Sequence, residues 1–471
     1  MKNDFIAIYA DIDSEQQREF GNYIRYFYGE KKKIIAIFDE TAHLVSSKQD
    51  LNLLRKKYSG DDYKTQLNYF STLKQWLFEF LAVQEVKSNS IEAKFLRLEA
   101  LRKNGLYDVY KERSEKFMGD LEKNEPLSIW HFFWKIRVAH TDYFHIPIDR
   151  LQNYQSDMQL LMQDLDNFYF SAKLLYSAEF SNRSAVSQEA YNPLFLDVIL
   201  EALDKESDLD AVIKEVYLAI FNLIQYQSKD AYIKLKQFLI DNQQHHKLER
   251  LAILQYLLNY SARVLLTNNE DIAMEIFSLY ELGIEQSLFT SVGYYNANTI
   301  INIVNTACAV GKSDWAKDFI DNNINVILPT EREDTRDVAN ARILFEKGDF
   351  KQVILLAQKV NPQNALLHVN IQLLSLRSHY EISLSVEKIN ELQFDKLCEM
   401  MQTHNSTFYQ FARRNKMLSP SQKLNIQNFC KIYNMLIVRK KGKKQLFKEL
   451  NNNKPMFCYD WIKQKIQQIK H

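Results

Sequence analysis

VANARILFEKGDFKQVILLAQKVNP, Val338 to Pro362, is the stretch whose reading decides the fold. Gly348 sits where two apolar-periodic runs meet, and Asp349 stands three residues before Gln352, the spacing at which a carboxylate caps a new helix. Pro362 closes the second run, because proline cannot continue a helix. One helix, a tight turn and a second helix are therefore expected, each burying one face against the other.

The same grammar recurs on the N-terminal side. Ser313 to Pro329 repeats it after Gly311, with Trp315 beside Ala316, and Asp271 to Gly283 repeats it again. Each second helix carries a small residue followed four positions later by a bulkier one: Ala231 with Leu235, Ala273 with Phe277, Ala316 with Ile320. Val353 with Ala357 departs from the pattern. A small residue lets two helices approach, and the residue one turn on fills the groove between neighbouring pairs. The anchors lie 42, 43 and 37 residues apart.

This grammar resembles the tetratricopeptide repeat over roughly residues 206 to 402, with longer and less regular spacing. The resemblance implies an all-α fold, an α-α superhelix: a solenoid of antiparallel helix hairpins. LDNFYFSAKLLYSAEFSNR (Leu165 to Arg183) and YDWIKQKI (Tyr459 to Ile466) resemble segments of a group of bacterial helical-repeat proteins with no assigned activity.

Composition points the same way. The 471 residues exceed what one compact core holds, and 10 Gly and 7 Pro leave little turn chemistry for sheets. All seven prolines fall between apolar runs. The expected division is an N-terminal helical region over 1–125, a repeat body over 126–410 and basic capping helices over 411–471. In the first region Ser14 and Gln17 read as a capping box. Leu67, Phe70, Leu73, Trp76, Leu77 and Phe80 form one apolar stripe, and Gly105 separates a helix pair over 91–122. A long helical run from Asp149 to Phe180 is expected to end in a polar turn over 181–189. Acids at Asp4, Asp11, Asp13, Glu15 and Glu19 exclude a signal peptide, and no apolar run reaches spanning length. A cytoplasmic protein without a membrane partner is the expectation.

Chemistry-bearing motifs are missing. The sequence holds no HExxH, no GxSxG, no GxxxxGK[ST] and no GxGxxG, so no enzymatic activity, cofactor or metal is expected. Cys308 and Cys398 lie on apolar faces, which reads as packing. Asp164 and Asp166 read as helix-cap acids rather than an acid-base pair.

Two features point to partners. In GYYNANTIINIVNTACAVG, residues 293–311, Tyr295, Asn298, Asn302 and Asn305 recur at three and four as a polar stripe opposite Ala297, Ile300, Ile301, Val304 and Cys308. Asparagine is a mediocre helix former, and its amide both donates to and accepts from a peptide backbone. Gln255, Asn259 and Arg263 precede this stripe on one neighbouring helix, and His368 and Gln372 follow it on another. Together they are the candidate lining of a groove for a protein or peptide. The second feature is charge. Net charge is +1, yet residues 411–471 carry 15 Lys and Arg against Glu449 and Asp460, leaving −12 for the first 410. Arg439, Lys440, Lys441, Lys443 and Lys444 concentrate it, near Phe447, Phe457, Tyr459 and Trp461. A nucleic-acid partner is the alternative there; a solvated cap is the plainer reading.

Overall fold

The structure is a computed structural model and describes residues 4–47, 63–88, 90–124, 128–146, 154–187, 193–205, 213–243, 247–262, 272–290, 293–360, 364–386, 391–438 and 442–469. Helix makes up 86% of it, in 22 α-helices among the described residues, with no strands. An isolated bridge joins Tyr295 to Ile327.

The chain forms two compact units, one of residues 1–123 with 141–152 and one of 124–140 with 153–471. The first contains α1 (Asp4–Asp11), α2 (Ser14–Tyr28), α3 (Lys32–Ser46), α4 (Tyr63–Lys87), α5 (Ile91–Lys103) and nearly all of α6 (Tyr107–Asn124). Phe5, Phe20, Ile24, Phe38, Leu73, Trp76, Leu77 and Phe80 build its core, so the stripe expected on α4 is buried from Leu73 onward while Leu67 stays exposed. The cap of α2 differs from the expected box. Asp13 Oδ1, not Ser14, accepts from the Gln16 amide at 2.8 Å. A carboxylate also gains from the positive end of the helix dipole, which a hydroxyl does not.

After α7 (Ile129–His145), which runs from the second unit into the first, the second unit continues with α8 (Tyr154–Ser187), α9 (Leu196–Lys205), α10 (Leu218–Tyr226) and α11 (Lys229–Asp241). There follow α12 (Lys247–Tyr260), α13 (Ile272–Glu285), α14 (Ala297–Ala309), α15 (Ser313–Asn323), α16 (Pro329–Glu346) and α17 (Phe350–Lys359). The series ends with α18 (Ala365–Val386), α19 (Glu391–Arg414), α20 (Pro420–Val438), α21 (Lys443–Asn452) and α22 (Tyr459–Gln468). From α10 to α22 every helix packs on the next, and α10 also touches α12, α14 touches α16, α16 touches α18 and α20 touches α22. Consecutive contacts with an every-second-helix seam are compatible with a helical-repeat fold.

Turn chemistry explains the hairpins. Gly311 and Gly348 have φ of +75° and +79°, the left-handed conformation glycine adopts without steric cost. At each, the next amide reaches back across the turn, Lys312 N to Ala307 O at 2.8 Å and Asp349 N to Leu344 O at 3.0 Å, satisfying carbonyls the helix leaves open. Asp349 then caps α17 by accepting from the Gln352 amide, as the spacing predicts. Ala231, Leu235, Phe277, Ala316, Ile320 and Val353 are all buried, while Ala273 and Ala357 are half-buried. Pro362 lies outside the described residues.

Two expectations change here. The polar turn over 181–189 is helical as far as Ser187, because Ser and Asn cost only tenths of a kcal/mol each inside a helix already formed. Asp164 and Asp166 lie within α8 and cap nothing; buried Asp164 pairs with Lys135 Nζ at 2.8 Å.

Gly283 lies where there is no room for a side chain. A Cβ there would come within 2.5 Å of both Leu254 Cδ2 and Phe289 Cε2. Leu254 has rotamers to yield, but the Phe289 ring is stiff. Gly283→Ala is therefore expected to destabilise by about 1–3 kcal/mol despite the better helix propensity of alanine. Urea denaturation followed by circular dichroism checks this; a stabilised variant would show that the contact has slack.

Candidate partner-binding surface

The proposed stripe is dispersed by the way α14 begins. Asn296 is its N-cap, accepting from the Asn298 amide at 2.9 Å, so the helix starts at Ala297 and Tyr295 precedes it. Tyr295 is 4% exposed. Its amide donates to Val326 O at 2.9 Å, and its ring lies 5.9 Å from Phe319, edge to face. Burial raises its phenol pKa. It is a core residue and presents nothing to a partner.

Asn302 is exposed, and Asn298 is half-buried with Oδ1 covered and unbonded. Asn305 Nδ2 donates to Asn370 Oδ1 on α18 at 3.4 Å, so part of its capacity is already used. The opposite face follows expectation, with Ala297, Ile300, Ile301, Val304 and Cys308 all buried. On α12, Gln255 and Asn259 are exposed, whereas Arg263 lies outside the described residues.

His368 and Gln372 on α18 are half-buried against α19. The His368 ring lies 4.2 Å from that of Phe411, tilted by 37°, and Gln372 Oε1 accepts from His404 Nε2 at 2.6 Å. His379 completes this seam, its Nδ1 donating to Ser375 O at 2.8 Å and its ring standing 5.8 Å from His404. Burial lowers the pKa of all three imidazoles, and that of His404 falls to about 4 with repulsion from His379 and His368 added. Gln255 and Asn259 thus share one face of α12, and Asn298 and Asn302 one face of α14, while Tyr295 lies in the core and His368 and Gln372 are half-buried against α19.

Arg439, Lys440 and Lys441 lie outside the described residues; Lys444 is exposed, and Lys443 Nζ donates to Gln467 O at 2.8 Å. Trp461 is buried and donates its indole N–H to Glu381 at 2.7 Å, while Phe447 and Phe457 pack against the core. Lys454 Nζ sits 4.4 Å over the Tyr459 ring. Ile462 and Ile466 are buried, so α22 covers the preceding helices, and even Lys465 is drawn in by Glu381 at 2.7 Å.

Among the described residues no group of three His, Cys, Asp or Glu side chains is placed to hold a metal ion, and no helix is long and apolar enough to cross a membrane. The four cysteines are free thiols; burial raises the pKa of Cys308, and that of Cys430 to about 12, which disfavours thiolate chemistry at both. One residue that periodicity reading passes over is Arg250. It lies on the same face of α12 as Ile253, Leu254 and Leu257, an arginine in an apolar stripe, and it is fully buried.

Comparison of the chain with protein families, with curated proteins and with solved structures gives no match.

Proposed function

We propose that the second unit is a tetratricopeptide-like superhelix serving as a non-enzymatic, cytoplasmic scaffold that binds a protein or peptide along first helices of its hairpins. The observation carrying this reading is a set of exposed amides, Asn302 on α14 and Gln255 and Asn259 on α12, with Asn298 half-buried one turn before Asn302. An exposed side-chain amide can both donate to and accept from a peptide backbone. Helices already ordered by packing lose little further entropy on binding.

Asn298→Ala with Asn302→Ala is expected to leave the helical circular dichroism unchanged and to weaken capture of the native partner by roughly tenfold, the worth of one to two hydrogen bonds. An unaltered capture profile would reject the amide surface. The nucleic-acid alternative has less support, since its aromatic side chains are engaged in packing. Deleting residues 411–471 would strip Tyr433, Ile462 and other core residues, so charge reversal at exposed Lys444, Lys448 and Lys463 is the cleaner comparison.

A further inference from the structure

The helix α8 has 34 residues, and over residues 161–178 one face is buried and another exposed. Leu161, Asp164, Ser171, Leu174, Ser177 and Ala178 face the core of the second unit. On the other side Met162, Leu165, Tyr169 and Tyr176 are 40–61% exposed, and Ala172, between the last two, lies at the edge of this face, half-buried against the core. The steps from Met162 through Leu165, Tyr169 and Ala172 to Tyr176 are three, four, three and four. That is the a/d spacing of a coiled-coil seam, which stays on one face for about 21 Å of helix. A seam of this shape fits another helix rather than a flat or globular surface.

Charge beside the seam selects which helix. Asp166 and Lys173 occupy the same flank, one heptad apart, directly after Leu165 and Ala172. Asp166 is exposed and Lys173 half-buried, and neither has a side-chain partner among the described residues. Laid antiparallel on itself about a point near residue 170, the helix pairs Asp166 of each copy with Lys173 of the other, twice by symmetry. In a parallel arrangement these two positions would face Leu161 and Phe168 of the other copy and gain no charge pair.

We infer that α8 is a self-association surface, pairing antiparallel with α8 of a second copy of this chain through a two-fold axis near Tyr169 and Ala172. Five side chains along one helix face make a smaller contact than the roughly 800 Å² per partner of a standard interface, so the dimer is weak and reversible.

Sedimentation velocity of the full chain over a concentration series tests this. The wild type is expected to pass from monomer to dimer, and Leu165→Glu to shift that transition at least tenfold higher in concentration without lowering the melting temperature. Asp166→Lys alone is expected to weaken the dimer, and Asp166→Lys combined with Lys173→Asp to restore it. A wild type that stays monomeric overturns the inference, including the case where the seam instead captures a helix of another protein. So does a dimer indifferent to Leu165→Glu, and so does a charge swap that fails to restore what Asp166→Lys removed.

Discussion

Replacing Arg250 by methionine is expected to cost about 3 kcal/mol of stability, more than removal of any single exposed side chain. Arg250 is 2% exposed yet has no carboxylate partner among the described residues. Its charge is held by acceptors at the end of α11. Nη1 donates to Gln243 O at 2.6 Å, and Nη2 donates to Leu239 O at 3.4 Å and to Gln286 Oε1. Gln286 in turn donates to Leu239 O at 3.3 Å, so one guanidinium ties α12 to the ends of α11 and α13. The negative end of the α11 dipole favours a cation there, while burial lowers the arginine pKa. Methionine fills the volume and escapes that desolvation cost, but it leaves three acceptors without their charged donor. Each such bond is worth about 1.5–3 kcal/mol, and the recovered desolvation offsets part of the sum. Denaturant unfolding of the full chain measures the difference; a loss below about 1 kcal/mol would mean that water or local shifts replace the clamp.

The histidine seam between α18 and α19 is expected to make the protein acid-labile well above the range where carboxylates titrate. His404 ordinarily titrates at 6.5, and its pKa falls to about 4 in the fold, burial being the main cause. The neutral ring is therefore the form the fold prefers. Its contribution is fully present above pH 6.5 and is lost as pH falls from there toward 4, because the unfolded chain takes the proton first. By roughly pH 5 the loss is on the order of 2 kcal/mol from His404 alone, at 1.36 kcal/mol per unit. His368 and His379 shift in the same direction and add to it. Melting curves from pH 7.5 to 4.5 should show the decline, and His404→Gln, which keeps a donor for Gln372, should flatten it. A melting temperature independent of pH across that interval would contradict the assignment.

These two sites show where sequence reading stops. Apolar period and turn residues were enough to locate the hairpins, because burying one face of a helix requires a step of three and four, and Gly311 and Gly348 are needed for φ values that other residues avoid. The buried positions Phe277, Ile320, Val353 and Ile462 follow from that period alone. Polar stripes carry less information. Asn302 and His368 lie on stripes of similar spacing, yet one meets water and the other meets Phe411. Which occurs depends on whether a later helix, α19 here, returns across that face, and no local pattern encodes that return. Tyr295 falls off the stripe for a similar reason: Asn296 competes as the cap, so α14 begins at Ala297, two residues beyond Tyr295. Arg250 is legible only in retrospect, as a charge standing in an apolar register.

Hydrogen exchange of the captured complex tests the central claim most directly. Partner binding along the amide surface should slow exchange in α12 and α14, around Gln255, Asn259, Asn298 and Asn302, and leave α21 and α22 unchanged. Protection confined to α21 and α22, with α12 and α14 exchanging as in the free protein, would contradict it.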